Sequence, residues 1–200
     1  MTFAELLAHP DVVQEVALRS RAGFLALHGG LEPGTAELAR AAASAAGASC
    51  YTLVQPDDLR HHVPSHESDP ALSTELTAFL AHVDVVVSVH GYFHRREALG
   101  HAILVGGADR GLTRRLAARL RAALPEVAVV DDPDAIPVDL RGRNPHNPVN
   151  CTAGGGVQLE LPPRVRAIGR HGDRPGAEEH RARTQTLVLA LADFAREQAA

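Results

Sequence analysis

Apolar positions along this chain follow two rhythms in turn: short runs that are apolar almost throughout, then longer stretches where apolar residues return every three or four positions. The first rhythm belongs to strands buried on both faces and the second to helices with one covered face, and their alternation marks an α/β layer fold. FLALH (24–28) predicts the first strand, and PGTAELARAAASAAG (33–47) a helix with Pro33 suited to its first turn and Gly47 to its end. SCYTLVQ (49–55) predicts a second strand, and DPALSTELTAFLAHV (69–83) a helix with Leu72, Leu76, Phe79 and Leu80 on one face. DVVVSVHG (84–91) is a continuous apolar strand ending at His90 and Gly91. HAILVGG (101–107) predicts a fourth strand, RGLTRRLAARLRAALP (110–125) a basic amphipathic helix, and VAVVDD (127–132) a fifth strand. The alternation then stops: 133–156 is rich in Pro, Asn and Gly, too long and too particular for an ordinary connector. GVQLELP (156–162) alternates and predicts a late strand, with an antiparallel placement as one option, and a helix over 176–198 closes the chain. No internal repeat, linker or low-complexity tail interrupts this order.

Composition narrows the picture. Two hundred residues with 45% hydrophobic content suffice for one sizeable core. The expected architecture is a single domain over 1–200, a three-layer α/β/α arrangement around a mixed, mostly parallel central sheet. The net charge of −4 comes from intermixed acids and bases and leaves no footprint for nucleic acid or an anionic membrane, so the expected partner is a small molecule. The opening MTFAELLAHPDVV has no basic segment leading into a long apolar one, and no window approaches the roughly 20 apolar residues of a membrane span. A cytoplasmic location is the expectation. Cys50 and Cys151 make neither a disulfide framework nor a CxxC metal pair, and Cys151 is read as a small packed residue. Twelve histidines are the compositional oddity.

Ligands in open α/β sheets bind beyond the carboxyl ends of the strands, so polar residues just after strands are the first candidates for chemistry. LALHGGLE puts His28 at such an end and Glu32 four residues on, across a Gly-Gly bend; VVSVHG puts His90 at the end of the central strand. A His and a Glu from one loop with a His from a neighbouring strand make a His₂Glu set, which leaves a fourth position open at a catalytic zinc. Each residue alone is more often structural; the conjunction, with glycines beside both histidines, points to a metal. Water activated at a metal needs a base, and Glu160 sits within an otherwise apolar strand, where a carboxylate must be exposed, paired or functional. Gln158 and Glu160 share one face, and a solvent-facing side is an equal alternative. GGADRGLTRRL lacks the Walker lysine and is read as a strand-to-helix turn, not a phosphate site. HHVPSHESDP offers Ser65 and His66 as cleft-lining residues or as plain rim.

HGGLEPGTAEL, VHGYFH, NPHNPVN and GGGVQLELP occur in that order across 24–162. With these motifs the sequence resembles the zinc-dependent poly-γ-glutamate hydrolases of phage origin and their bacterial relatives, which implies a zinc carboxypeptidase-like fold. The resemblance implies His28, Glu32 and His90 as Zn²⁺ ligands and Glu160 as the catalytic glutamate. The first loop departs from the family's His-Gly-Gly-Gly-x-Glu by being one residue shorter. A γ-glutamyl chain carries a free α-carboxylate at every residue, so Arg95, Arg96, Arg141, Arg143, Asn144, Asn147, Asn150 and His66 are the candidate substrate-binding residues. The expected activity is zinc-dependent hydrolysis of γ-glutamyl amide bonds in a polymer or small peptides. An amidohydrolase of small N-acyl amino acids and an inactive metal-binding protein of the same fold are the alternatives.

Overall fold

Strands β1 (Val13–Ala17), β2 (Ala22–Gly29), β3 (Ser49–Val54), β4 (Val85–Gly91), β5 (Ile103–Gly106), β6 (Val129–Val130) and β7 (Gly156–Leu161) form one sheet in the order β1-β3-β2-β4-β7-β5-β6. The computed structural model describes residues 1–92, 99, 101–174 and 176–199. β3, β2, β4 and β7 run parallel to one another at the centre; β1 is antiparallel to β3, and β5, itself parallel to β6, is antiparallel to β7.

Helices α2 (Thr35–Ala46), α4 (Arg110–Ala123) and α6 (Glu178–Ala199) cover one face. Their apolar stripes pack on Phe24 and Ala26 of β2, Val85, Val87 and Val89 of β4, and Val157, Leu159 and Leu161 of β7. The opposite face is shared by α1 (Phe3–Leu7) and α3 (Thr74–His82), which pack on Leu25, Leu27, Tyr51, Leu53 and Val86. That helical cover stops short of the carboxyl ends of β4 and β7. There the irregular segment after β6, with only 3₁₀ turns at Val138–Leu140 and Pro148–Asn150, crosses the sheet instead. A short helix, α5 (Gly169–Gly172), precedes α6.

The architecture is the α/β arrangement expected, with several local differences. β7 lies parallel to β4 inside the sheet and is antiparallel only to β5. β1 and α1 have no counterpart in the sequence reading: β1 pairs on one side only and its Val13 and Val16 stay exposed, so it lacks the apolar run of a central strand. Leu72 lies outside α3, in a 3₁₀ turn at Pro70–Leu72, and is 52% exposed, because the Ser73 side chain accepts from Leu76 N and starts the helix one residue later. Leu76, Phe79 and Leu80 are buried as expected. Cys151 is exposed, not packed. GGADRG is a strand-to-helix turn in which Asp109 caps α4 through Leu112 N. Among the described residues no helix is long and apolar enough to cross a membrane.

Candidate metal centre

Alternation along β2 assigns His28 to the same face as Phe24 and Ala26, beneath α2. A β-bulge prevents this: Ala26 pairs with Thr52 and Gly29 with Val54, so Leu27 and His28 together oppose the single residue Leu53. The extra residue re-aims the side chain, as bulges beside active sites do, and His28 turns toward β4 and Val63. The chain then folds back through Gly30, at φ 78°, where an added Cβ would sit 2.0 Å from the Gln55 carbonyl oxygen. Glu32 N donates to His28 O at 2.8 Å, closing a helical turn that brings the Glu32 carboxylate up beside the imidazole.

Three buried side chains converge here, and one ligand atom from each of His28, Glu32 and His90 lies within 4.8 Å of the others. His28 Nδ1 is 2.8 Å from Glu32 Oε1 and 3.1 Å from His90 Nδ1, and His90 Nδ1 is 3.6 Å from Glu32 Oε2. Outer partners fix both rings: His28 Nε2 meets the Val63 carbonyl oxygen at 2.9 Å and His90 Nε2 meets the Ser88 hydroxyl at 3.0 Å. Gly91 N donates to Glu32 Oε2 at 2.8 Å, so the carboxylate is also held. Supporting contacts of this kind are what orient first-sphere metal ligands.

The donor chemistry tests whether a metal fits. A carbonyl oxygen only accepts, so His28 Nε2 carries a proton and donates it to Val63. In the neutral ring Nδ1 is then a lone pair, facing a carboxylate oxygen and a second imidazole nitrogen. When the His90 proton sits on Nε2, toward the Ser88 hydroxyl, its Nδ1 is a lone pair too, and in that tautomer three acceptors meet at distances that suit a cation among them, a proton on His28 or a metal. Ligands about 2.0–2.1 Å from a tetrahedral zinc stand about 3.3 Å from one another; the contacts here run from 2.8 to 3.6 Å, counting both Glu32 oxygens. The titration behaviour follows the same geometry. Burial works against a charge on His28, but the Glu32 carboxylate and the Val63 carbonyl outweigh it and hold its pKa above the usual imidazole value. Glu32, despite its own burial, is held well below the usual carboxylate range by His28 and His90. For His90 burial dominates and lowers the pKa, keeping that ring neutral.

Glu160 stands beside His90, its register partner across the parallel β4–β7 pair. Gln158 and Glu160 do share a face, and it is buried, not solvent-facing. Gln158 Nε2 donates to Glu160 Oε1 at 2.8 Å, and Asn147 Nδ2 donates to Gln158 Oε1 at 2.9 Å, a relay that fixes the carboxylate against the strand. Tyr92, pushed up to about 12 by burial and by the charge of Glu160, donates its hydroxyl proton to Ala102 O at 2.6 Å.

His28, Glu32, His90 and Glu160 all line a cavity of about 1050 Å³. Ser65, His66, Arg141, Arg143, Asn144 and Asn147 line it too. Their situations differ. Asn147 is buried in the relay, Arg141 donates from Nε to Ile136 O, and Arg143 and Asn144 are exposed at the rim. Asn150 is not a lining residue: its amide nitrogen serves Gly142 O and Asn144 O and its oxygen accepts from Ala108 N, which makes it a loop brace. Arg95 and Arg96 fall outside the described residues. Tyr92 and His62 are among the lining residues that the sequence did not single out. The His62 ring lies 4.7 Å from that of His28, and burial together with the His28 charge lowers its pKa. His62 belongs to the histidine-rich HHVPSHESDP stretch, whose composition was the available signal.

Fold and site together define an α/β protein with a buried His₂Glu candidate metal centre at the carboxyl ends of its parallel strands. The chain belongs to the poly-gamma-glutamate hydrolase family, whose model matches residues 2–189, and it is a hydrolase of that family. Its fold is similar to that of a bacteriophage poly-gamma-glutamate hydrolase, with a TM-score of 0.65, 22% identity, and 94% of this chain and 87% of that one covered. It is also similar to YNDL in an apo, zinc-free form, with a TM-score of 0.71, 23% identity and coverage of 95% and 92%. A gene product of Agrobacterium tumefaciens shares the fold at a TM-score of 0.56 and 13% identity, with 94% of both chains covered. No curated sequence matches the chain.

Proposed function

We propose that this protein cleaves γ-glutamyl amide bonds, with Zn²⁺ held by His28, Glu32 and His90 and with Glu160 as general base. The observation that carries this reading is the convergence of three buried ligand atoms on the floor of a large cavity, with a fourth buried group, Glu160, registered next to His90. Zinc in such a site polarises a carbonyl and lowers the pKa of water toward neutrality. Glu160 takes the proton of the attacking water and hands it to the leaving amine. The Gln158 amide, donating to Oε1, holds the Glu160 carboxylate in place for that transfer. His28 and His90 keep their outer protons engaged with Val63 and Ser88, so both Nδ1 atoms stay aimed at the centre.

Recognition falls to the rim. Arg143 and Asn144, exposed at the cavity edge, are suited to a substrate α-carboxylate, with Arg141 and His66 beside them and Arg95 and Arg96 as further candidates from the sequence. The cavity, about 1050 Å³, is at the upper end of ordinary small-molecule sites of about 300–1,000 Å³ and favours an oligomeric γ-glutamyl substrate over a small N-acyl amino acid. The test compares γ-linked and α-linked glutamyl peptides of one composition on wild type and Arg143→Gln. Wild type is expected to prefer the γ-linked peptide, and Arg143→Gln to lose about one to two decades of kcat/KM on it, as a charge-assisted contact made in the transition state implies. Equal wild-type rates on both linkages overturn the γ-glutamyl assignment. Stoichiometric zinc with no amide turnover overturns the enzymatic reading in favour of a metal-binding protein.

A further inference from the structure

Among the described residues the largest fully buried side chain is a charged one, Arg166, at 0% exposure. It follows β7 by a single 3₁₀ turn, Pro163–Val165, and is not among the residues lining the cavity, so it does not meet substrate. Its guanidinium forks to main-chain carbonyls on separate segments. Nε donates to Leu161 O at 3.2 Å, Nη2 to Tyr92 O at 3.1 Å, and Nη1 to Pro33 O. Each acceptor is next to, or two residues beyond, a member of the site: Pro33 follows Glu32, Tyr92 lies two past His90, and Leu161 follows Glu160.

The surroundings are shaped to this side chain. An added Cβ at Gly91 would come 2.7 Å from Arg166 Cζ, so the guanidinium lies against a glycine that follows the ligand His90 directly. At Gly34, with φ 90°, an added Cβ would come 2.4 Å from the Arg166 carbonyl oxygen, so the main chain of Arg166 also needs a glycine two residues after the ligand Glu32. Burying a lone guanidinium costs several kcal/mol unless it is paired or fully hydrogen-bonded. Here burial lowers the guanidinium pKa, opposed by the negative charges of Glu32 and Glu160, while three main-chain carbonyls accept from it.

We infer that Arg166 is a positioning residue that sets the spacing among the three strand ends carrying Glu32, His90 and Glu160, and so preorganises the metal centre and its base from behind. This rests on the metal-hydrolase reading above. Lysine retains the charge but is a point donor without the planar fork, and it cannot span three separated carbonyls. Loss of charge and loss of geometry are thereby separable.

The experiment uses the full chain as wild type, Arg166→Lys, Arg166→Met and Leu120→Ala, the last opening a cavity in α4 away from the strand ends. Zinc affinity is measured by competition with a chromophoric chelator, stability by apo-protein Tm, and kcat and KM on a γ-glutamyl peptide. Arg166→Lys is expected to weaken zinc binding about 10- to 100-fold, the usual effect of losing a residue that orients ligands. Its kcat is expected to fall by at least about tenfold with KM changed less than about threefold, because Arg166 does not touch substrate. Leu120→Ala, with an equal or larger loss of Tm, is expected to bind zinc as wild type does. If Arg166→Met fails to fold, Arg166→Lys carries the comparison. Wild-type zinc affinity and kcat in Arg166→Lys overturn the inference alone, as does an equal loss of affinity in Leu120→Ala. A wild type that binds no zinc overturns the metal reading and this inference with it.

Discussion

Zinc affinity is expected to depend on pH through His28. In the apo-protein His28 Nε2 is committed to Val63 O, and the raised pKa means that Nδ1 also carries a proton at mildly acid pH, shared with Glu32. Zinc needs that Nδ1 lone pair. Glu32 is already ionised because its pKa is lowered, and His90 is already neutral because burial lowers its own. Binding below the folded pKa of His28 therefore releases close to one proton, and above it close to none. Each pH unit below that pKa lowers the apparent affinity about tenfold, or about 1.4 kcal/mol. Stability of the apo-protein runs the other way. The His28 contribution is fully present below about pH 6.5 and is lost as pH rises through the raised folded pKa, whereas the Glu32 contribution is present above about pH 4.3 and is lost only on strong acidification. Chelator competition from about pH 5.5 to 8, with calorimetry in buffers of different ionisation enthalpy, measures affinity and proton release together. An affinity that stays flat over that range, or binding at the acid end that releases no proton, refutes the assignment of the His28 proton.

Two substitutions separate ligand from base. His90→Ala is expected to remove most of the bound metal as read by elemental analysis, since it deletes one of three donors; stoichiometric zinc in that variant means the ligand set is misassigned. Glu160→Gln is expected to keep its zinc and its Tm, because a glutamine oxygen still accepts from Gln158 Nε2, while losing about 10²–10⁴-fold in kcat because an amide cannot take the water proton. Wild-type turnover in Glu160→Gln would move the base elsewhere.

Much of this site was legible because its chemistry contradicts its surroundings. Glu160 is a carboxylate inside an apolar strand, and His90 lies near the end of a strand buried along its whole length, so both stand out against β4 and β7. The direction of His28 was not legible. Period-two counting gives it the wrong face, and only the bulge at Leu27 and His28, invisible in residue types, turns it to the centre. Asn150 went the other way: its motif suggested contact with substrate, but loop carbonyls and an amide consume its side chain. Arg166 was not legible because in PPRVR it looks, like Arg164 two residues before it, the same as any exposed charge, and its burial depends on glycines at 34 and 91, contributed by segments remote in sequence. Edge strand β1 was missed for lack of the apolar density that marks a strand covered on both sides.

The strand order constrains how the active molecule comes into being. β5 precedes β7 in the chain, yet it reaches the rest of the sheet only through β7, which lies between it and β4. Until residues 156–161 arrive, β4 has one open edge and the β5–β6 pair belongs to no larger sheet. Closure requires a pairing of high sequence separation, the slow kind of event in folding. That same insertion sets Glu160 against His90, so the joining of the two sheet halves and the arrival of Glu160 beside the candidate metal centre are one step. A nascent chain that has not yet reached β7 holds His28, Glu32 and His90 without Glu160.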